Sequence, residues 1–223
     1  MLLNSILNNS KDYIHISSLM RSEHKILYNT EDSFFIYFPE SNIYIAESIS
    51  DSLCELVATI KCYHPDLLET TNLSLFEILR NDYLNSYECY QYGPFNEKHY
   101  DEKLIPLKEN DLPYVLSTYH NEKYLEQLFD RKRILGYYDN NELIGYVANH
   151  IDKTLGALYV SPQYRNQGYG KKIIKAATLI FDDPLIYSQV MDDNIASIRM
   201  HDALNIYKSN RKICWLHNIE FLF

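Results

Sequence analysis

The chain has 223 residues, 46% of them hydrophobic and 23% charged, with a formal charge of −9 at neutral pH. That length suits one large domain or two small ones, and roughly 70% of the unfolded surface can be buried without disulfide or metal staples. The acidic balance makes a general nucleic-acid binder a poor fit. The apolar runs are too short to cross a bilayer, and residues 1–9 lack the basic start and apolar core of a secretory signal.

The charge is uneven. Residues 1–100 carry 6 Lys and Arg against 14 Asp and Glu, and the remainder carries 15 against 16. Ile26–Tyr28 is a short strand candidate. Phe34–Phe38 and Ile43–Ala46 flank Pro39-Glu40-Ser41-Asn42, whose turn composition predicts a hairpin. Asp51 or Ser52 caps a predicted helix through about Cys62, with Leu53, Leu56, Val57 and Ile60 on its apolar face. Asn72 or Ser74 starts another through about Leu84. Cys54, Cys62, Cys89 and Cys214 have no paired metal spacing and read as buried or free thiols of a reducing cytoplasm. Tyr92-Gly93-Pro94-Phe95-Asn96 is the best internal break. It divides an N-terminal α/β lobe over 1–97 from a second domain over 98–223.

The second half is more regular. Lys103–Leu107 reads as a strand, Asp111–Tyr119 (with Pro113 in its first turn) and Glu122–Phe129 as helices. Arg133–Tyr138 and Leu143–Asn149 alternate as strands about the turn Asp139-Asn140-Asn141. Thr154–Ser161 is the next strand, followed by a helix over Gly168–Phe181 whose Ile173, Ile174, Ala177, Ile180 and Phe181 recur at helical spacing. Leu185–Met191 is a strand and Asp193–Leu204 a helix. Ile213–Leu216 and Ile219–Phe223 are closing strands. Hairpins mixed with helical crossovers predict a mixed, mostly antiparallel sheet flanked by helices.

The chemistry concentrates where the Thr154–Ser161 strand ends. Arg165-Asn166-Gln167-Gly168-Tyr169-Gly170 is a polar, glycine-bearing turn entering a helix. Backbone N–H groups point outward there, the helix dipole is positive, and glycine has no Cβ to block approach. Arg165, Lys171, Lys172 and Lys175 crowd cations where the dipole favours carboxylates, so the turn points to an anionic ligand. A dinucleotide fingerprint wants a third small residue where this chain has Ile173, and a Walker loop wants a hydroxyl after Gly170-Lys171. Both readings fail.

Val160-Ser161-Pro162-Gln163-Tyr164-Arg165-Asn166-Gln167-Gly168-Tyr169-Gly170, with Asn194-Ile195-Ala196-Ser197 further on, resembles the two signatures of the GNAT superfamily of N-acetyltransferases. The likeness covers about residues 101–220. The wording Tyr159–Arg165 is most similar to the glycine N-acyltransferase-like branch, in which a degenerate acetyltransferase-like lobe often precedes the active one. The 1–97 lobe would then be such a half, on the acceptor side. The resemblance implies acetyl-CoA, or another acyl-CoA, as co-substrate, and no metal. Leu158, Tyr159 and Val160 would carry the thioester arm on their strand. Arg165, Asn166, Gln167, Gly168, Tyr169, Gly170 and Lys171 would hold the diphosphate, with Asn194 and Ser197 on the later helix.

Two departures from the family pattern concern protons. The Tyr that often serves as general acid is His201 here, which shares within about 60° the helix face of Asn194 and Ser197. Tyr207 is its substitute. The strand that often carries a Glu base has none, leaving His150, just before it, to deprotonate the amine. The implied activity is transfer of an acetyl group to a primary amine of a small molecule by direct attack. Two alternatives stay open: a catalytically weak acyl-CoA-binding regulatory module, and a protein lysine or N-terminal acetyltransferase. Partners are then acyl-CoA and a small amine, with neither nucleic acid nor membrane, and a homodimer is compatible.

Overall fold

The computed structural model describes residues 2–8, 11–95, 99–119, 121–183 and 185–219. In chain order the elements are α1 (Leu2–Asn8), α2 (Ile14–Leu19), β1 (Lys25–Asn29), β2 (Ser33–Phe38), β3 (Ile43–Ser48), α3 (Cys54–Tyr63), β4 (Leu67–Thr70), α4 (Leu73–Leu79) and β5 (Asn85–Tyr92). There follow β6 (Leu104–Pro106), α5 (Leu112–Ser117), α6 (Glu122–Asp130), β7 (Ile134–Asp139), β8 (Glu142–Asn149), β9 (Leu155–Val160), α7 (Tyr169–Phe181), β10 (Ser188–Met191), α8 (Ile195–Asp202) and β11 (Ile213–His217). They cluster into two compact units. The first joins the chain up to Gln91 with Gln189–Asn194 and the stretch from Tyr207. The second comprises Tyr92–Ser188 and Ile195–Ile206. The boundary expected between 97 and 98 lies outside the described residues, as does most of the strand expected over Ile219–Phe223.

The first unit holds a seven-stranded sheet in the order β1-β2-β3-β4-β11-β5-β10. The expected hairpin forms, with Phe38 opposite Ile43 and Phe35 opposite Ala46. β3 and β4 run parallel, joined by α3, and β11 lies antiparallel between β4 and β5. One face packs Phe35, Ala46, Leu68, Cys214 and Leu216 against Leu56 and Ile60 of α3 and Leu75, Phe76 and Leu79 of α4. α3 begins at Cys54 rather than at the expected Asp51 or Ser52, with no side-chain cap. The serines there are spent on a local turn, in which Ser52 N–H donates to Ser50 Oγ. α4 has the expected Asn72 cap, whose Oδ1 accepts from Leu75 N–H at 2.8 Å, and it ends at Leu79 in a 3-10 turn well before Leu84.

The second unit holds the antiparallel sheet β6-β7-β8-β9. Asn140 and Asn141, at φ 49° and 67°, make the two-residue turn between β7 and β8. Helix α7 covers one face, burying Ile173, Ile174, Ala176 and Ala177 against Leu104, Leu135, Ile144 and Leu155. Helices α5 and α6 cover the other through Val115, Leu125 and Leu128 against Ile134, Tyr146 and Ala148. Ile180, expected on the apolar face of α7, is 44% exposed. With the parallel β3–β4 pair of the first unit and the antiparallel pairs of the second, the chain shows the mixed, mostly antiparallel sheet architecture flanked by helices that the element order implied.

Candidate functional site

β9 is the last strand of its sheet and is irregular where it matters. Tyr146 pairs with Tyr159 but Ala148 pairs with Gly156, so β9 spends one residue more than β8 between those points. Ala157 takes up the surplus at φ 47°, a bulge that re-aims the strand. Leu155 therefore packs on the α7 side, Ala157 and Tyr159 on the α5–α6 side, and Leu158 and Val160 on the α7 side again. Ser161 N–H donates to Ile144 O at 2.9 Å. Alternate residues of an antiparallel strand face the same neighbour, so the amides of Leu158 and Val160 turn away from β8 toward the open edge. Among the described residues that edge meets a strand neighbour only at the Thr154–Tyr187 bridge, beside which Leu155 N–H donates to Tyr187 O. Val160 O accepts from Arg165 Nε at 3.0 Å, which leaves its N–H as the outward group.

Past Val160 the chain makes one 3-10 turn over Pro162–Tyr164 and enters α7. Asn166 at φ 61° and Gly168 at φ 83° alternate with ordinary residues, curling the main chain so that successive N–H groups converge. No side chain caps α7 and no acid stands in its first turn. A methyl added at Gly168 would meet nothing within 4 Å, so the approach is open. Gly170 has room for a methyl, at 3.7 Å from Leu158 Cδ2 and 3.7 Å from Met200 Cγ. Lys171 and Lys172 are exposed beside it, and the Arg165 guanidinium lies 5.5 Å over the Tyr159 ring. Convergent amides, an uncapped helix start, cations and open space are what a diphosphate needs. The extended edge beside it offers N–H groups to a carbonyl.

The proposed proton carriers are placed differently from one another. His201, on α8 one residue from Met200, is 3% exposed. Its Nδ1–H donates to Ser197 O at 2.9 Å, with Ser197 Oγ 3.3 Å away. Nε2 therefore carries the lone pair, and it is buried without a hydrogen-bond partner among the described residues. Burial pushes the imidazole below its ordinary pKa. Tyr92 lies against the ring at 4.9 Å between centroids. His150 is also buried: Tyr124 OH lies 2.9 Å from its Nδ1 and the two rings stack at 5.6 Å, while burial lowers its pKa. Asn194 and Tyr207 belong to the first unit. The Tyr207 hydroxyl donates to Asp12 Oδ1 at 2.7 Å, a bond that raises its pKa. Within the second unit the fold thus gathers Leu158, Val160, the 165–171 turn, Ser197 and His201.

Sequence reasoning missed Tyr114. From α5 its hydroxyl reaches Ser161 Oγ at 3.2 Å and Tyr159 OH at 3.4 Å, and that hydrogen bond, with burial, raises the Tyr159 pKa. In a chain with 21 tyrosines nothing marks one of them in advance. Among the described residues no three His, Cys, Asp or Glu side chains could jointly hold a metal ion, and no helix is long and apolar enough to cross a membrane.

An edge strand with a bulge thus leads through a turn with positive-φ Asn166 and Gly168 into an uncapped helix. The chain belongs to the acetyltransferase (GNAT) family, whose profile matches residues 74–205 and whose co-substrate is acetyl-CoA. Solved structures share the fold at low identity. A Drosophila protein aligns over 96% of this chain and 95% of its own, with 13% identity and a TM-score of 0.61. A GNAT-family acetyltransferase from Colwellia psychrerythraea aligns over 97% of each, with 16% identity and a TM-score of 0.51. A GCN5-related N-acetyltransferase from Kribbella flavida aligns over 93% of each, with 10% identity and a TM-score of 0.54. No curated protein matches the sequence.

Proposed function

We propose that this protein is an N-acetyltransferase of the glycine N-acyltransferase-like branch, moving an acetyl group from acetyl-CoA to the primary amine of a small molecule by direct attack. The observation that carries the reading is the open edge of β9, whose Leu158 and Val160 amides turn outward and lead straight into the uncapped start of α7. In this reading the diphosphate rests on the N–H groups between Asn166 and Lys171, and the thioester arm continues β9 as an added strand. An outward N–H at Leu158 donates to the thioester carbonyl and gains strength as negative charge grows on that oxygen. Tyr159 and Arg165 brace the end of the strand, and Gln167, Tyr169 and Ser197 complete the proposed co-substrate contacts within the second unit.

The reaction forms a C–N bond, breaks a C–S bond and moves one proton from nitrogen to sulfur. His201 is the proposed carrier. With its Nδ1–H committed to Ser197 O, Nε2 accepts the amine's proton first and then returns it to the departing thiolate. His150 and Tyr207 are the other carriers that the sequence suggests, each with a partner to give up first, Tyr124 and Asp12 respectively. That all three are buried or already bonded favours one second reading, a module that binds acyl-CoA and turns over slowly. The acidic first half suits a cationic acceptor, since unlike charge steers encounter. The free cysteines suit a cytoplasmic setting.

Calorimetric titration with acetyl-CoA followed by thiol-release assays across cationic, neutral and anionic amines tests this. Binding with amine-dependent thiol release is the expected result. Binding without release supports the second reading, and acetylated peptides in place of small amines would redirect the acceptor to proteins. No binding at saturating acetyl-CoA overturns the proposal.

A further inference from the structure

The sequence offers His150 as a base, but the geometry points to another job. A methyl built on Gly156 would stand 2.5 Å from His150 Nε2 and 2.7 Å from Cδ2, far inside van der Waals contact. The Nε2–Cδ2 edge of the imidazole thus occupies the space beside the β9 main chain at Gly156, the residue just before the Ala157 bulge. It is also held in place. Tyr124 stacks on it within 6° of parallel and bonds its Nδ1, while the same hydroxyl accepts from Ile151 N–H at 3.4 Å. The His150 N–H donates to Thr154 O at 2.8 Å, and His150 O accepts from an Arg133 guanidinium N–H at 2.7 Å. A ring fixed on one side and in contact with a glycine on the other sets where that glycine can lie.

We propose that His150 is a positioning residue: its ring props β9 at Gly156 and so fixes the bulge that turns the Leu158 amide outward. It works by shape, and its proton takes no part. The inference rests on the reading that the Leu158 amide meets the thioester carbonyl. Gly156 is then required because His150 fills the space over it, although its own φ is ordinary.

Gly156→Ala, His150→Ala and the double variant test it against the wild type. A shifted Leu158 amide disturbs the reacting carbonyl more than the diphosphate. Gly156→Ala should therefore lower kcat by about 10- to 100-fold, the cost of an ångström-scale misplacement, and leave the acetyl-CoA Kd within about threefold. Removing the ring as well relieves the clash, so the double variant should regain most of that loss. His150→Ala alone should keep the wild-type shape of the pH–rate profile. A base would behave oppositely: the double variant would be no better than either single one, and His150→Ala would erase the acidic limb. Either result overturns the proposal. If Gly156→Ala yields no folded protein, the double variant must restore folding, and failure to do so also overturns it. Melting midpoints of the four proteins read the same coupling without ligand, and wild-type titration with acetyl-CoA separately checks the underlying reading.

Discussion

Gly168 and Gly170 stand two residues apart and call for glycine for different reasons. Gly168 sits at φ 83°, where any L side chain is strained although no atom blocks it. Gly168→Ala should lower the unfolding free energy by about 1–2 kcal/mol, measured by urea denaturation. Gly170 has an ordinary φ and tolerates a methyl. Gly170→Ala should leave the urea midpoint unchanged, while Gly170→Val should weaken acetyl-CoA in calorimetry far more than it alters stability, by blocking the main chain's approach to phosphate. His201 makes a test of sign. A neutral imidazole below its ordinary pKa accepts a proton, so kcat/KM should rise with pH through a midpoint below 6.5. His201→Gln should flatten that limb and leave acetyl-CoA binding intact. A profile that falls over the same range would mark His201 as the acid instead. The loop glycines and Arg165 were legible in the sequence because main-chain chemistry dictates those residue types. The partners of His150 and Tyr207 were not, because Tyr124 and Asp12 reach them from distant parts of the chain, whereas Ser197, one helical turn before His201, was already placed beside it.

At the scale of elements, the sequence yields whatever has a local cause. The β2–β3 and β7–β8 hairpins follow from turn composition, and α7 follows from its apolar period. β4 and β5 left no such trace. β4 is four fully buried residues, so it shows no alternation, and Glu69 in its middle disguises it. β5 mixes its three tyrosines irregularly with Asn, Ser, Glu and Gln, which reads as surface. The β9 bulge was equally hidden, since a surplus residue is visible only against the partner strand. The buried Glu47 of β3 gives the first unit a pH signature. Burial pushes its carboxyl up to about 7 from 4.5, against hydrogen bonds from the Thr71 N–H and hydroxyl. The folded chain then binds this proton more tightly than the unfolded one, so stability falls as pH rises from 4.5 through 7. His15, pushed down from 6.5 to about 3 by burial, contributes the opposite slope as pH rises from about 3 through 6.5. Glu47→Gln isolates the first effect: from about pH 5 to 8 its melting temperature should gain on that of the wild type. An unchanged difference would mean that Glu47 stays ionised.

At the scale of the molecule, β11 is decisive for the first unit. All five of its residues are buried, and it supplies both the antiparallel partner of β4 and that of β5. A chain ending at Arg211 should lose the seven-stranded sheet, seen as fast amide hydrogen exchange in β2 and β3. Protection retained there would show that β1–β4 hold without it. The sequence suggested two consecutive domains; it could not say that a strand at residue 213 completes a sheet begun at residue 25, because nothing local records which distant strand a segment joins.

That return has a consequence for synthesis. A ribosome delivers β1–β5 first, yet their sheet keeps an open seam until the last strand is threaded in. The four-stranded sheet of the second unit, whose strands are consecutive in the chain with only α5 and α6 between β6 and β7, can close while translation continues. The part made earliest is therefore the part finished last, and in the interval its unpaired β4 and β5 edges are the stretch of the nascent chain most exposed to mispairing.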